Sequence, residues 1–154
     1  MKCPNLIVLH TMSKAWGQAA IRLGMAFASE DIVTIMNKVK YPYNINTLTQ
    51  QQAISALRDQ EQTDKQVKFL IQERHRMSAA IRMLPLCENV YPSDANFLLV
   101  KTLNAQSIYD TLVKRGIIVR NRHKITLCDN CLRITIGTKT ENNELLAALR
   151  DIRG

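Results

Sequence analysis

The chain has 154 residues, and its 21 Lys+Arg against 13 Asp+Glu give a formal charge of +8. With 46% apolar residues, five glycines and four prolines, the mix is globular, which excludes disorder, collagen and low complexity. No stretch approaches the roughly 20 apolar residues of a membrane helix. The N-terminal apolar run ends at polar His10-Thr11 without a small-residue cleavage site, so a cytoplasmic protein is expected.

The positive balance favours anionic partners. Aromatics are only 5%, and the basic residues are scattered, densest in Arg74-His75-Arg76 and Arg120-Asn121-Arg122-His123-Lys124. Nucleic-acid binders concentrate basic residues and interleave aromatics, so a solvated basic surface is the expectation, with neither nucleic acid nor membrane as partner. Cys3, Cys87, Cys128 and Cys131 are expected as reduced thiols. Cys128-x-x-Cys131 has only His123 nearby, short of the four ligands of a zinc site. Two small residues in a hairpin is the favoured reading, and no metal is expected.

In chain order, Asn5 to Leu9 reads as a buried parallel strand. A polar loop follows from Thr11 to Gly17, then a helical turn at Ala19–Leu23 and a short strand at Met25–Ala28. Ser29 is the candidate cap of a helix to Lys38, with Glu30 and Asp31 in its first turn. Pro42 breaks that helix at Tyr41. Thr47 or Thr49 caps a second helix to Arg58. A long third helix is predicted from Thr63 to Leu84, burying Val67, Leu70, Ile71, Met77, Ile81 and Leu84 and leaving Arg74, His75 and Arg76 in water. Pro85 ends it.

Val90-Tyr91 and Phe97–Val100 read as strands around a Pro92–Ala95 turn. Asn104 caps a helix carrying Ile108, Leu112 and Val113, stopped by Gly116. Further strands are predicted at Ile117–Val119, Ile125–Leu127 and Leu132–Ile136, and a closing helix at Thr138–Ile152 with Leu145, Leu146 and Leu149 inward. The fold class is α/β and α+β: residues 1–45 are a piece of an α/β layer, 46–65 a helical connector, and 66–154 a self-contained α+β unit.

The chemistry concentrates in Thr11-Met12-Ser13-Lys14-Ala15-Trp16-Gly17-Gln18-Ala19-Ala20-Ile21-Arg22-Leu23-Gly24. Two hydroxyls flank a lysine, and an arginine follows after a glycine bend. Such a lysine serves as a nucleophile or as a point charge on a phosphate. A solvent-exposed loop lysine is the bland alternative.

Ser13-Lys14-Ala15-x-Gly17-x-Ala19-x-x-Arg22-x-Gly24 resembles the cofactor-lysine signature of class I/II pyridoxal-phosphate-dependent aminotransferases, of fold type I. Gly116-Ile117-Ile118-Val119-Arg120, then Cys131-Leu132-Arg133-Ile134-Thr135-Ile136-Gly137-Thr138 and Glu141-Asn142-Asn143, narrow the likeness to the histidinol-phosphate aminotransferase branch. The resemblance implies pyridoxal 5'-phosphate as cofactor. Lys14 would bond to it and move the substrate's α-proton. Arg22, Ser13 and Thr11 would hold its phosphate. Arg133 would bind the substrate's anionic end, and Arg120 would assist with phosphate. Strand arginines in surface ion pairs are the competing reading for Arg120 and Arg133, since alternation alone leaves their face open.

The implied activity of the parent enzyme is transamination of histidinol phosphate with 2-oxoglutarate or glutamate, in histidine biosynthesis, by a homodimer. Another aminotransferase of the class, for aromatic amino acids, is the enzyme alternative. A non-catalytic anion-binding or interaction remnant is the other. The family's aspartate, asparagine and tyrosine partners of the cofactor ring match no position here. The chain is therefore expected to be the C-terminal portion of a longer enzyme, inactive alone, with an incomplete large domain and a small α+β domain.

Overall fold

The structure, a computed structural model, describes residues 3–152. It is a mixed α/β chain in two compact units that divide between Val67 and Lys68.

In the first unit, β1 (Val8–Thr11) pairs with β2 (Gly24–Phe27), Thr11 lying opposite Gly24 and Val8 opposite Phe27. The pairing is antiparallel, and every residue of β1 is exposed, Leu9 to 77%. This corrects the expectation of a buried parallel strand. A solid apolar run signals burial on both faces, but the loop after Thr11 turns the chain back beside itself, and β2 is the one strand paired with β1 among the described residues. A single 3-10 turn, Ala19–Ile21, occupies the predicted helical turn.

Helix α1 (Glu30–Val39) begins after Ser29, whose hydroxyl donates to the Pro4 carbonyl at 2.9 Å instead of accepting from the helix. Helix α2 (Thr47–Arg58) is capped by Asn46, whose Oδ1 accepts from the Thr49 N–H at 2.8 Å. The expected threonine caps are thus overturned. Asparagine is the better acceptor at a cap, and the Thr49 hydroxyl donates to the Ile21 carbonyl at 3.4 Å.

Helix α3 (Gln60–Arg82) starts one residue after Asp59, earlier than predicted, because no glycine or proline interrupts the segment. Its Met77 and Ile81 are fully buried, while Ile71, expected inward, is exposed.

The second unit is built on a four-stranded antiparallel sheet of β3 (Cys87–Val90), β4 (Phe97–Thr102), β5 (Arg120–Asn121) and β6 (Cys131–Thr135), ordered β3-β4-β6-β5. Leu98, Val100, Leu132 and Ile134 face one way and are buried. They pack with Met77 and Ile81 of α3, Ile108 and Leu112 of α4 (Ala105–Lys114), and Leu145, Leu146 and Leu149 of α5 (Lys139–Asp151). The alternation that buries these residues sends Phe97, Leu99 and Arg133 to the opposite face, where they are half-buried.

Two predicted strands are absent. Ile117–Val119 runs into the two-residue β5, and residues 122–130 form successive turns, with Ile125 N–H to Arg122 O at 2.8 Å and Cys128 N–H to Ile125 O at 2.9 Å. These local bonds satisfy the backbone without a ladder, and Leu127 is left 91% exposed at φ 65°. Arg74 and Arg76 depart from the wet helix face expected of them. Arg74 donates to the Ala95 carbonyl at 2.8 Å, and Arg76 grips Glu73 through two bonds of 2.8 and 2.7 Å. His75 is exposed.

Helix α5 opens with a capping box: the Glu141 N–H donates to Thr138 Oγ1 at 3.3 Å, and the Thr138 N–H donates to Glu141 Oε2 at 2.7 Å. The Thr138 N–H and the Thr138 hydroxyl, which donates to the same Oε2 at 2.8 Å, hold the Glu141 carboxyl below its ordinary range. Thr138→Ala is expected to lower stability by about 1 kcal/mol, read from the urea midpoint; an unchanged midpoint would show the cap to be idle. Among the described residues, no helix is long and apolar enough to cross a membrane.

Candidate active site

Lys14 sits on a turn closed twice on itself. The Gly17 N–H reaches the Lys14 carbonyl at 2.9 Å, and the Gln18 N–H reaches the Met12 carbonyl at 2.9 Å. Gly17 adopts φ +65°, a conformation glycine takes at little cost. Met12 is fully buried, which anchors the turn. Lys14 is exposed and makes no hydrogen bond or ion pair among the described residues. Its amine is free on a fixed backbone.

The β1–β2 ladder continues past the strands, with the Met12 N–H donating to the Leu23 carbonyl at 3.2 Å. That bond brings the neighbours Ser13 and Arg22 to the same end of the pair. Thr11 braces the turn: Oγ1 accepts from the Ser13 N–H at 3.1 Å and donates to the Leu23 carbonyl at 3.4 Å. The Ser13 side chain is half-buried. Arg22 has φ 53°, left-handed for a non-glycine residue, and its Nη1 donates to the Ala19 carbonyl at 2.8 Å. A left-handed conformation costs an ordinary residue about 1–2 kcal/mol, so this arginine is held in a backbone shape that glycine would occupy more cheaply.

The second unit carries the other two predicted arginines. Arg120 of β5 stands directly opposite Arg133 of β6, so both project from the same face of the sheet. Neither takes part in an ion pair among the described residues. Arg133 is half-buried, its Nε is fully buried without a hydrogen-bond partner among the described residues, and its Cζ lies 5.0 Å from the centre of the Phe97 ring. Arg120 also borders a hollow of about 320 Å³ with Tyr109, Asn121 and Lys124. Like charges set directly opposite are destabilising, and a buried unpaired donor costs free energy. An anion on this face would relieve both.

The sequence reading missed Phe97, whose signal is its register two residues from Leu99, the residue opposite Arg133. It also missed the buried pair Glu73 and Asn142, with the partly exposed Arg76 paired to Glu73. Glu73 Oε2 accepts from Asn142 Nδ2 at 2.9 Å, and Asn142 Oδ1 accepts from the Gly137 N–H at 3.0 Å. The Arg76 guanidinium holds the Glu73 carboxyl down to about 2. One of three acids in a helix with five Lys and Arg, Glu73 carries no sequence signal for this. Burial pushes the Cys87 and Cys131 thiols up, which makes them poor nucleophiles. Among the described residues, no three His, Cys, Asp or Glu side chains are grouped to hold a metal.

Residues 1–149 match the family model for aminotransferase class I and II. The chain belongs to this family. The histidinol-phosphate aminotransferase of Bacteroides thetaiotaomicron is 56% identical over 99% of this aminotransferase chain, which covers 44% of that relative. The crystal structure of the histidinol-phosphate aminotransferase from Clostridium acetobutylicum superposes with a TM-score of 0.86 at 25% identity, over 97% of this chain and 46% of that one. The Sinorhizobium meliloti enzyme of the same name, solved in complex with pyridoxal-5'-phosphate, matches with a TM-score of 0.76 at 27% identity, over 96% and 41%. This aminotransferase chain thus spans under half the length of the curated relatives it matches.

The family depends on pyridoxal phosphate, and the donor set of the Lys14 turn suits that cofactor. An unpaired amine meets the demand of an aldehyde carbon. A guanidinium and a hydroxyl at the same end of one ladder meet the demand of a phosphate.

Proposed function

We propose that the whole protein transfers the amino group between histidinol phosphate and the 2-oxoglutarate/glutamate pair, and that the 154-residue chain alone does not turn over. The observation that carries this reading is the cross-strand pair Arg120 and Arg133, two guanidinium groups on one face with no carboxylate partner among the described residues. A site that must accept a phosphate from one substrate and a carboxylate from the other needs such a pair. Arg133 binds the carboxylate or phosphate through its planar fork, and Arg120 adds a second fork for phosphate.

When bound, pyridoxal phosphate supplies the electron sink that makes the substrate's α-proton removable. Lys14 would hold the cofactor through its amine and, once the substrate's amine has taken that place, would carry the proton from the substrate's α-carbon to the cofactor. Arg22 and Ser13 bind the cofactor phosphate, and Thr11 serves the same anion by holding the Ser13 N–H in place. In this reading residues 1–45 are the end of the cofactor-binding large domain, 46–65 a connector, and 66–154 the small domain, which agrees with a division at Val67/Lys68. The whole protein is a cytoplasmic homodimer, a setting that suits four free cysteines and the exposed Tyr41 and Tyr43.

A chimaera in which this chain replaces the matching C-terminal part of the Bacteroides thetaiotaomicron relative tests the proposal. It is expected to consume histidinol phosphate with 2-oxoglutarate. Arg133→Lys in it should raise the KM for 2-oxoglutarate about tenfold or more, since a charged two-point contact is reduced to one. A folded, cofactor-loaded chimaera without turnover would overturn the reading.

A further inference from the structure

Arg133 is held in place by few groups of its own chain. Its Nε is buried and finds no acceptor, and no carboxylate pairs with it among the described residues. On one side stands Arg120, which repels it. On the other side β4 places Leu99 directly opposite and Phe97 two residues along on the same face. The centre of the Phe97 ring lies 5.0 Å from Arg133 Cζ.

An aromatic ring is negative on its face, so a guanidinium above it is attracted and oriented. An aliphatic residue at position 97 would satisfy the strand alternation equally well. It would give the guanidinium nothing to lie against. A long arginine otherwise loses considerable side-chain freedom each time it binds, and fixing it beforehand strengthens binding without adding a contact to the ligand.

We infer that Phe97 is a positioning residue for anion recognition: its ring holds the Arg133 guanidinium in one plane, ready for a carboxylate or phosphate. The inference rests on the reading of Arg133 as the anion-binding arginine. Phe97 touches no reacting atom in this role; it acts through Arg133.

The 154-residue chain, Phe97→Leu and Phe97→Tyr are to be compared by two measurements. The first is the order of the Arg133 Nε–Hε group by NMR relaxation in the free protein. The second is the affinity for 2-oxoglutarate, read from the shift of the same resonance. Phe97→Leu is expected to mobilise Nε–Hε and to weaken 2-oxoglutarate about tenfold, while Phe97→Tyr preserves both. An Nε–Hε group as ordered in Phe97→Leu as in the parent overturns the inference. Absence of any shift with 2-oxoglutarate in the parent overturns the anion-site reading, and the order measurement still decides the role of the ring. If Phe97→Leu loses its dispersed amide spectrum, pentafluorination of the Phe97 ring keeps the shape and inverts the charge on its face. Mobilisation of Nε–Hε there supports the inference, and unchanged order refutes it.

Discussion

Lys14→Arg is expected to remove the pyridoxal label that borohydride should fix at position 14 of the parent chain. Many lysines react reversibly with an aldehyde, so the site is distinguished by retention, not by reactivity alone. Lys65, for example, is tied to Glu61 at 2.7 Å, whereas the Lys14 amine is unpaired among the described residues on a turn fixed by two hydrogen bonds. Ser13 and Arg22 emerge at the same end of the β1–β2 ladder and can hold the phosphate while the amine reacts. Two anchors on one small molecule convert the second contact into an intramolecular one, which raises occupancy at low cofactor concentration. Mapping by mass spectrometry should therefore find the label concentrated on Lys14 in the parent chain and spread thinly over surface lysines in Lys14→Arg. The same spread in both proteins would sink the cofactor-site assignment. Arg22→Gly separates binding from folding: it relieves about 1 kcal/mol of left-handed strain, which offsets the lost bond to the Ala19 carbonyl, and it removes the guanidinium proposed to hold the phosphate, so the chain should keep its stability and lose label.

Legibility in the sequence tracked how local the determining physics is. The Lys14 segment was readable because a tight turn needs Gly17 at positive φ and because hydroxyl, lysine and arginine lie within one short stretch. The capping box of α5 was half readable: Thr138 was placed at the helix start, but its exchange with Glu141 was not foreseen. Alternation in Cys131–Thr135 put Arg133 opposite Leu132 and Ile134, yet only the helices packed on Leu132 and Ile134 decide that Arg133 lies on the side away from the core. The Asn5–Leu9 run misled because its apolar character reports what the run could bury, not which strand lies beside it. Ile125–Leu127 misled for a related reason. Three apolar-leaning residues look like a strand, but turns every three residues satisfy the same backbone. Contacts between residues 69 positions apart, such as Glu73 with Asn142, leave no local trace at all.

That long-range pair carries the largest stability effect expected in the second unit. Glu73 is 6% exposed and Asn142 2%. The carboxylate accepts two bonds from Arg76 and one from Asn142, and Asn142 in turn holds both the N–H and the carbonyl of Gly137 at 3.0 and 3.1 Å. The network ties α3 to the start of α5 just past the strand that bears Arg133. Hydrogen bonds from Arg76 outweigh the burial that would raise the Glu73 carboxyl, and it titrates at about 2 instead of the ordinary 4.5. The folded chain therefore binds this proton less tightly than the unfolded chain. The stabilisation is fully present above about pH 4.5, declines as pH falls, and is gone below about pH 2. Allowing for the partly exposed Arg76, it amounts to about 2–3 kcal/mol. Glu73→Gln should lose most of this at neutral pH and flatten the acid limb between those two values. Glu73→Ala should cost about 1–3 kcal/mol more, because one of the two buried Asn142 N–H donors loses its acceptor while the other keeps the Gly137 carbonyl. Urea unfolding of the parent and both variants at neutral pH and near pH 3 separates the contributions. Parallel acid limbs in the parent and Glu73→Gln would show that the carboxylate does not carry the acid sensitivity. An equal cost for Gln and Ala would show that Asn142 finds another acceptor once Glu73 is gone.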